Sequence, residues 1–289
     1  MNINRKLEEL IVAAFTGLPA VLPLPLARVF GAALGDVARR VDRRHRRVAH
    51  RSLEAAFPDM SIATRSEIVR RCFRHFGSVG ADFFHLGRLE PVALCRRLEL
   101  ENWSRFGDAE VAGRGVLIVT AHLGFHELLA PVVALYKGPM SMVARPLGSA
   151  ALNARVNLIR TRFGNRLVPK RGAARGLLHA VSTGGRAVIL IDQRVHPNEG
   201  IEVPFFGRRS WTSPLPARIS IRTGAPVLPL FAVPLAGGKY RLRVHQPIFP
   251  DASRGDVGEL TTRYLAVIEE EIRARPAQWL WMHDRWRRH

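Results

Sequence analysis

From Val116 onward the chain repeats a pattern that leaves few folds open: a short, continuous apolar run followed by a longer stretch with helical spacing. The runs are VLIVT at 116–120, MSMVA at 140–144, AVILI at 187–191 and VLPLFAV at 227–233. Runs this short and this uniformly apolar suit strands covered on both faces, as in a parallel sheet. Helical candidates fall between and after them, near 126–136, 150–163, 173–182 and 214–222. That alternation is the βαβ rhythm of an α/β sheet flanked by helices, mixed but largely parallel. KYRLRVHQ at 239–246 alternates polar and apolar residues, which suits a half-exposed strand. A last helix over 257–273 places Leu260, Tyr264, Val267, Ile268 and Ile272 on one face.

Upstream the pattern is helical. Between Ser61 and Leu86, apolar residues including Val69, Phe73, Phe76, Phe83 and Phe84 form the stripe of an amphipathic helix. Residues 10–27, LIVAAFTGLPAVLPLPLA, carry no charge and approach the ~20 apolar residues that span a bilayer as a helix. Arg39, Arg40, Arg43, Arg44, Arg46, Arg47 and Arg51 follow, a flank expected on the cytoplasmic side and suited to anionic headgroups. The expectation is an uncleaved membrane anchor. Pro19, Pro23 and Pro25 each remove a backbone donor, so an interfacial segment and a buried helix stay open as alternatives. The expected organisation is an anchor over 1–38 and a catalytic domain over 39–289, divided into a helical subregion (39–110) and an α/β core (111–289).

A net charge of +20, nearly all from arginine, makes the chain seek polyanions: nucleic acid, anionic lipid or an acidic carrier protein. A nucleic-acid binder needs a groove-reading or base-stacking element, and none is evident. No nucleic-acid partner is expected. Cys72 and Cys95 form no CxxC and have no His-rich neighbourhood, so neither a disulfide framework nor a metal site is expected. No GxGxxG follows a strand, and GxxxxGK[ST] and GxSxG are absent. His126-Glu127 does not extend to HExxH, because Ala130 stands where the second histidine would be.

The segment VLIVTAHLGFHELLA concentrates the chemistry. A buried strand ends at Thr120, and His122, Gly124 and Glu127 follow at the strand end, where open α/β sheets bind ligands. On one continuous helix His122 and Glu127 would be turned about 140° apart, so they meet only if His122 lies in the loop and Glu127 in the first helical turn. Gly124 supplies the backbone freedom for that bend. In that geometry Glu127 would orient the imidazole and His122 would take a proton from a hydroxyl.

His122-Leu-Gly-Phe-His-Glu127 resembles the HxxxxE/D pair of the late acyltransferases of lipid A biosynthesis, the lauroyl and myristoyl transferases. The resemblance continues through Arg145-Pro146, Arg160-Thr-Arg162-Phe-Gly164, Asp192-Gln193, Pro204-Phe-Phe-Gly207 and Thr212. In the tail it takes in Glu269, Pro276, Gln278-Trp-Leu-Trp281 and His283-Asp-Arg-Trp286, with Asp284 standing where the family more often has arginine. The match runs from about residue 40 to 287.

It implies a glycerolipid-acyltransferase-like fold and an enzyme of the inner membrane facing the cytoplasm, with His122 and Glu127 catalytic. Acyl carrier protein would be the donor, or acyl-CoA in its place, with no cofactor and no metal. The acceptor would be a glycolipid, either a lipid A precursor or a relative such as phosphatidylinositol mannoside, held beside anionic lipids. Substrate contacts are expected from Arg145, Arg160, Arg162, Asp192, Gln193, Phe205, Phe206 and Arg285. The first three arginines suit phosphate or a thioester oxyanion as well as solvated helix charge. Asp192 suits tying down a loop or one of these arginines. Phe205 and Phe206 suit an acyl channel or core packing, and Trp279, Trp281 and Trp286 a membrane rim or C-terminal packing.

Overall fold

Strand β2 (Val116–Thr120) is buried along its whole length, and its side chains alternate between two cores. Leu117 and Val119 join one cluster, while Val116 and Ile118 join the other. This is the period-2 consequence of a strand covered on both faces. The computed structural model describes residues 16–111, 113–251 and 256–287. Around β2 is a seven-stranded sheet in the order β1-β9-β8-β2-β5-β3-β4. Its other members are β1 (Leu98–Glu101), β3 (Met140–Ala144), β4 (Arg166–Pro169), β5 (Arg186–Leu190), β8 (Val227–Pro234) and β9 (Tyr240–Val244). All neighbours run parallel except β8 and β9. The sheet is the mixed, mostly parallel one expected. A separate antiparallel hairpin joins β6 (Ile201–Phe205) to β7 (Arg208–Thr212).

Helices cover both faces. The Leu117 side packs on α8 (Ala173–Ser182), α9 (Leu215–Thr223) and α10 (Val257–Ala274). The Ile118 side packs on α5 (Ser104–Glu110), α6 (Leu129–Lys137) and α7 (Ala150–Thr161). Helix α3 (Ile62–Leu86) contributes Val69 and Phe73 to the first core and Phe83 and Phe84 to the second. The short α4 (Pro91–Cys95) leads into β1, so the expected helical subregion also supplies an edge strand.

The N-terminal region departs from the expected anchor. Among the described residues no helix is long and apolar enough to cross a membrane. Residues 10–15 of the apolar run lie outside the described residues. Helical residues 16–21 stop before Pro23, whose extended backbone (φ −51°, ψ 137°) caps a new helix, α1 (Leu24–Val41). A proline cannot donate to the preceding turn, so the apolar run divides there. Helix α1 is held against α3 by small residues: a Cβ at Gly31 would come within 2.3 Å of the Gly77 carbonyl oxygen, and one at Gly35 within 2.2 Å of that of Phe73. The Arg28 guanidinium donates to both carboxylate oxygens of the buried Asp82, at 2.7 and 2.8 Å. Helix α2 (Arg43–Ala56), which carries most of the arginine flank, follows.

Candidate active site

Strands β2 and β5 are parallel and in register, with Thr120 opposite Leu190. His122 and Asp192 each lie two residues further along, so the two strand ends deliver them to the same place. The His122 Nδ1–H donates to Asp192 Oδ1 at 3.0 Å, and the His122 backbone N–H donates to Oδ2 at 2.9 Å. Trp279 Nε1–H adds a second donor to Oδ2 at 2.8 Å. Burial alone would neutralise Asp192, but the charge and hydrogen bonds of His122 and the Trp279 indole hold its carboxyl well below the usual range. Burial likewise disfavours the imidazolium, yet the Asp192 carboxylate outweighs it, with help from Glu127, and raises the His122 pKa. With Nδ1 protonated by this pairing, Nε2 is left as a base. The Gln193 amide faces it, donating from 3.4 Å.

The backbone around His122 is fixed from three sides. Gly124 has φ +60°, and a Cβ there would lie 2.2 Å from the Ala232 carbonyl oxygen, so only glycine fits. Its N–H donates to the Gln278 carbonyl at 3.0 Å, and the Leu280 N–H donates to the His122 carbonyl at 3.1 Å. The buried ring of His75, pushed by burial to a pKa of about 4 and hence neutral, donates from Nε2 to the Gly124 carbonyl at 3.1 Å.

Glu127 does not orient His122, contrary to the expectation. It sits in a 3₁₀ turn (His126–Leu128) that carries its side chain toward α7, where Arg160 grips it through two hydrogen bonds, Nε to Oε2 at 3.0 Å and Nη2 to Oε1. A bidentate arginine is a stronger partner for a carboxylate than a neutral imidazole. Burial raises the Glu127 pKa, but the Arg160 pairing prevails and keeps it ionised. His126 lies between the two pairs, its ring 5.0 Å from that of His122. Burial lowers its pKa to about 4.

His122, Glu127 and Arg160 face one cavity of about 620 Å³. Its apolar wall includes Leu129, Met140, Met142 and Val188, while Arg145, Arg160, Lys170 and Arg218 provide positive charge. An oriented base beside an apolar cleft with cationic groups can bring an acyl chain and a polar acceptor together.

The profile described as bacterial lipid A biosynthesis acyltransferase matches residues 3–288. The chain belongs to that family. It is 26% identical over 272 residues to the lipid A biosynthesis lauroyltransferase of Escherichia coli (strain K12), covering 92% of this chain and 87% of that protein. Over 276 residues it is 26% identical to the lipid A biosynthesis palmitoleoyltransferase of the same organism, covering 92% and 86%. With the phosphatidylinositol mannoside acyltransferase of Mycolicibacterium smegmatis it shares 24% over 288 residues, covering 98% and 93%. This protein is an acyltransferase.

In this acyltransferase the other expected contacts divide. Arg145, Arg160 and Gln193 line the cavity, Arg145 from beyond the end of β3. Arg162 does not line it: its guanidinium ties the end of α7 to the carbonyls of Leu86 (3.2 Å) and Gly87 (2.9 Å) and to Glu90. Asp192 is fully engaged in positioning His122. Phe205 and Phe206 are buried against Trp279, Trp281 and Trp286, away from the cavity. They pack rather than line an acyl channel, because the β6–β7 hairpin folds them onto the C-terminal tail. The tail tryptophans pack there too and form no membrane rim. Arg285 is buried as well, over the Phe205 ring, donating to the Trp211 carbonyl (2.8 Å) and Thr212 Oγ1 (2.6 Å). Asp284 meets the exposed Arg51 at 3.4 Å. Sequence reasoning missed His126 as a cavity residue and Trp279 as a support for Asp192. Their signals were adjacency to Glu127 and the Gln-Trp-Leu-Trp block. Among the described residues no group of three His, Cys, Asp or Glu side chains could hold a metal ion.

Proposed function

We propose that this acyltransferase moves a fatty acyl chain from a thioester to a hydroxyl of a lipid A precursor of the Kdo2-lipid IVA type. The observation that carries the reading is the His122 Nε2, left as the base by the Asp192 pairing at the wall of the 620 Å³ cavity. Nε2 takes the proton of the acceptor hydroxyl as its oxygen attacks the thioester carbonyl. The tetrahedral intermediate collapses with loss of the thiolate, which takes that proton back from the imidazolium. An ester and a free thiol result. Arg160, positioned by Glu127, offers positive charge to the developing oxyanion, and Arg145 offers it to the anionic headgroup. No metal or other cofactor takes part.

Acyl carrier protein is the proposed donor, because an acidic carrier would meet a chain of net charge +20 by complementary charge; acyl-CoA is the alternative. We place the enzyme on the inner membrane, facing the cytoplasm and bound at the interface through α1. The face of α1 turned from α3 exposes Leu26 (56%), Val29 (67%), Val37 (53%) and Val41 (76%), an apolar stripe suited to the headgroup boundary. The arginines that follow suit anionic lipids.

The likeness to a mycobacterial enzyme along almost the whole of both chains favours a second acceptor, phosphatidylinositol mannoside. Acyl carrier protein thioester offered with each acceptor, and products read by mass spectrometry, separates the two. Gain of one acyl group by the lipid A precursor supports the first reading. Acylation of the mannoside alone replaces it with the second.

A further inference from the structure

Behind the loop that carries Asp192 and Gln193 lies a second cavity, of about 500 Å³. Gln193 and Val195 line the first cavity and Arg194 between them lines the second, so one short segment forms part of both walls. The β6–β7 hairpin and the C-terminal tail complete the second. Five arginines line it: Arg194, Arg208, Arg209, Arg285 and Arg287. Among the described residues that line it one is a carboxylate, Glu202, which Arg209 already engages at 3.0 Å.

Two of its groups are left incomplete. Arg285 is fully buried, yet its hydrogen-bond partners are neutral, a carbonyl and a hydroxyl, and its Nε has no partner among the described residues. Ser210, 3% exposed, has a hydroxyl without a partner among the described residues. A buried guanidinium is ordinarily matched by an anion, since an uncompensated charge in the interior is expensive. Burial pushes the Arg285 pKa down to about 10, against the opposing charge of Asp192. An anion bound here would meet the Arg285 Nε and the Ser210 hydroxyl together.

We infer that this second cavity binds a phosphate ester carried by one of the two substrates. Guanidinium forks match the paired oxygens of phosphate, and several converging on one cavity select a multiply charged group over a single carboxylate. Two sources share that chemistry: a phosphate on the glycolipid acceptor and a phosphodiester in the arm that bears the acyl thioester. Through the Arg194 backbone, whose N–H donates to His283 Nε2 at 3.0 Å, an anion held here adjoins the loop that holds Asp192. The assignment to a substrate rests on the proposed acyl transfer; the anion site itself does not.

The test is calorimetric titration of the full chain with inorganic pyrophosphate. Arg208 and Arg287 are exposed, so Arg208→Gln/Arg287→Gln leaves the core intact. It is expected to weaken pyrophosphate binding at least tenfold. Arg71→Gln/Arg222→Gln removes equal charge from exposed positions elsewhere and is expected to change it less than twofold. Equal weakening in both pairs, or none in either, overturns the site. Because this measurement needs no turnover, its failure is distinct from failure of the acyl-transfer reading. In acyl-transfer assays, a KM raised for the phosphorylated acceptor supports a glycolipid phosphate, and one raised for the thioester donor supports its phosphodiester arm.

Discussion

His122 and Asp192 stand 70 residues apart in the chain and are joined side chain to side chain at 3.0 Å because each lies two positions beyond a paired residue of neighbouring parallel strands. The proposed catalytic base is therefore assembled by strand register, and the helical turn that follows His122 serves a different pair. Glu127 belongs to Arg160, and both line the same cavity as His122.

If Glu127 acts through Arg160, as their bidentate pairing suggests, removing either should have the same consequence. Glu127→Gln and Arg160→Gln are each expected to lower kcat, and the double variant to be no slower than the worse single one. Steady-state rates of thioester consumption measure this. Fully additive losses would mean that Glu127 acts on His122 or substrate independently.

Trp279→Phe keeps the packing but removes one of the donors to Asp192. A hydrogen bond to a charged group contributes about 1.5–3 kcal/mol, so a stability loss of that order is expected in denaturant titration. A change below about 0.5 kcal/mol would show that the indole does not support the carboxylate, by the size of ordinary surface effects.

Gly124→Ala places a methyl group against the Ala232 carbonyl oxygen at a position with φ +60°. Strain and collision should together destabilise the protein by more than about 1 kcal/mol, since alanine at a positive φ costs more than its usual entropic gain. Thermal unfolding at matched concentration reads it, with a lowered Tm expected.

If α1 lies in the interface, Val29→Glu/Val37→Glu should reduce flotation with vesicles of phosphatidylethanolamine and phosphatidylglycerol at least tenfold. Both positions face away from α3, so the fold should persist by circular dichroism. Unchanged flotation would remove α1 from the membrane contact.

How much of this was readable beforehand depended on burial. Strands β2, β3, β5 and β8 stood out because strands covered on both faces are continuously apolar. Strands β1 (LELE) and β4 (RLVP) were missed because both are edges: β1 is half-buried throughout and β4 is exposed at both ends, so neither shows an apolar run. The β6–β7 hairpin was missed too: its residues carry charge on one side and bury Val203 and Phe205 on the other. At the site, His122 and the Asp192-Gln193 strand end were legible, but their pairing was not. It depends on β5, and not β3, being the neighbour of β2 on that side, a long-range choice that no local spacing encodes. Arg285 illustrates the converse, since nothing in a tail rich in arginine marks one of them as buried.

The most direct test of the account is the pH dependence of kcat/KM for Asp192→Asn beside the wild type. His122 must be neutral to act, and Asp192 raises its pKa above the ordinary 6.5, so wild-type activity should fall as pH drops through a value above 6.5. Without the carboxylate, burial lowers the pKa, so the acid limb should move to lower pH. The rate on the plateau should fall about 10²- to 10⁴-fold, the usual range for a misoriented general base. A variant within twofold of wild type, with its acid limb unmoved, would contradict the assignment of Asp192 as the group that holds the catalytic base.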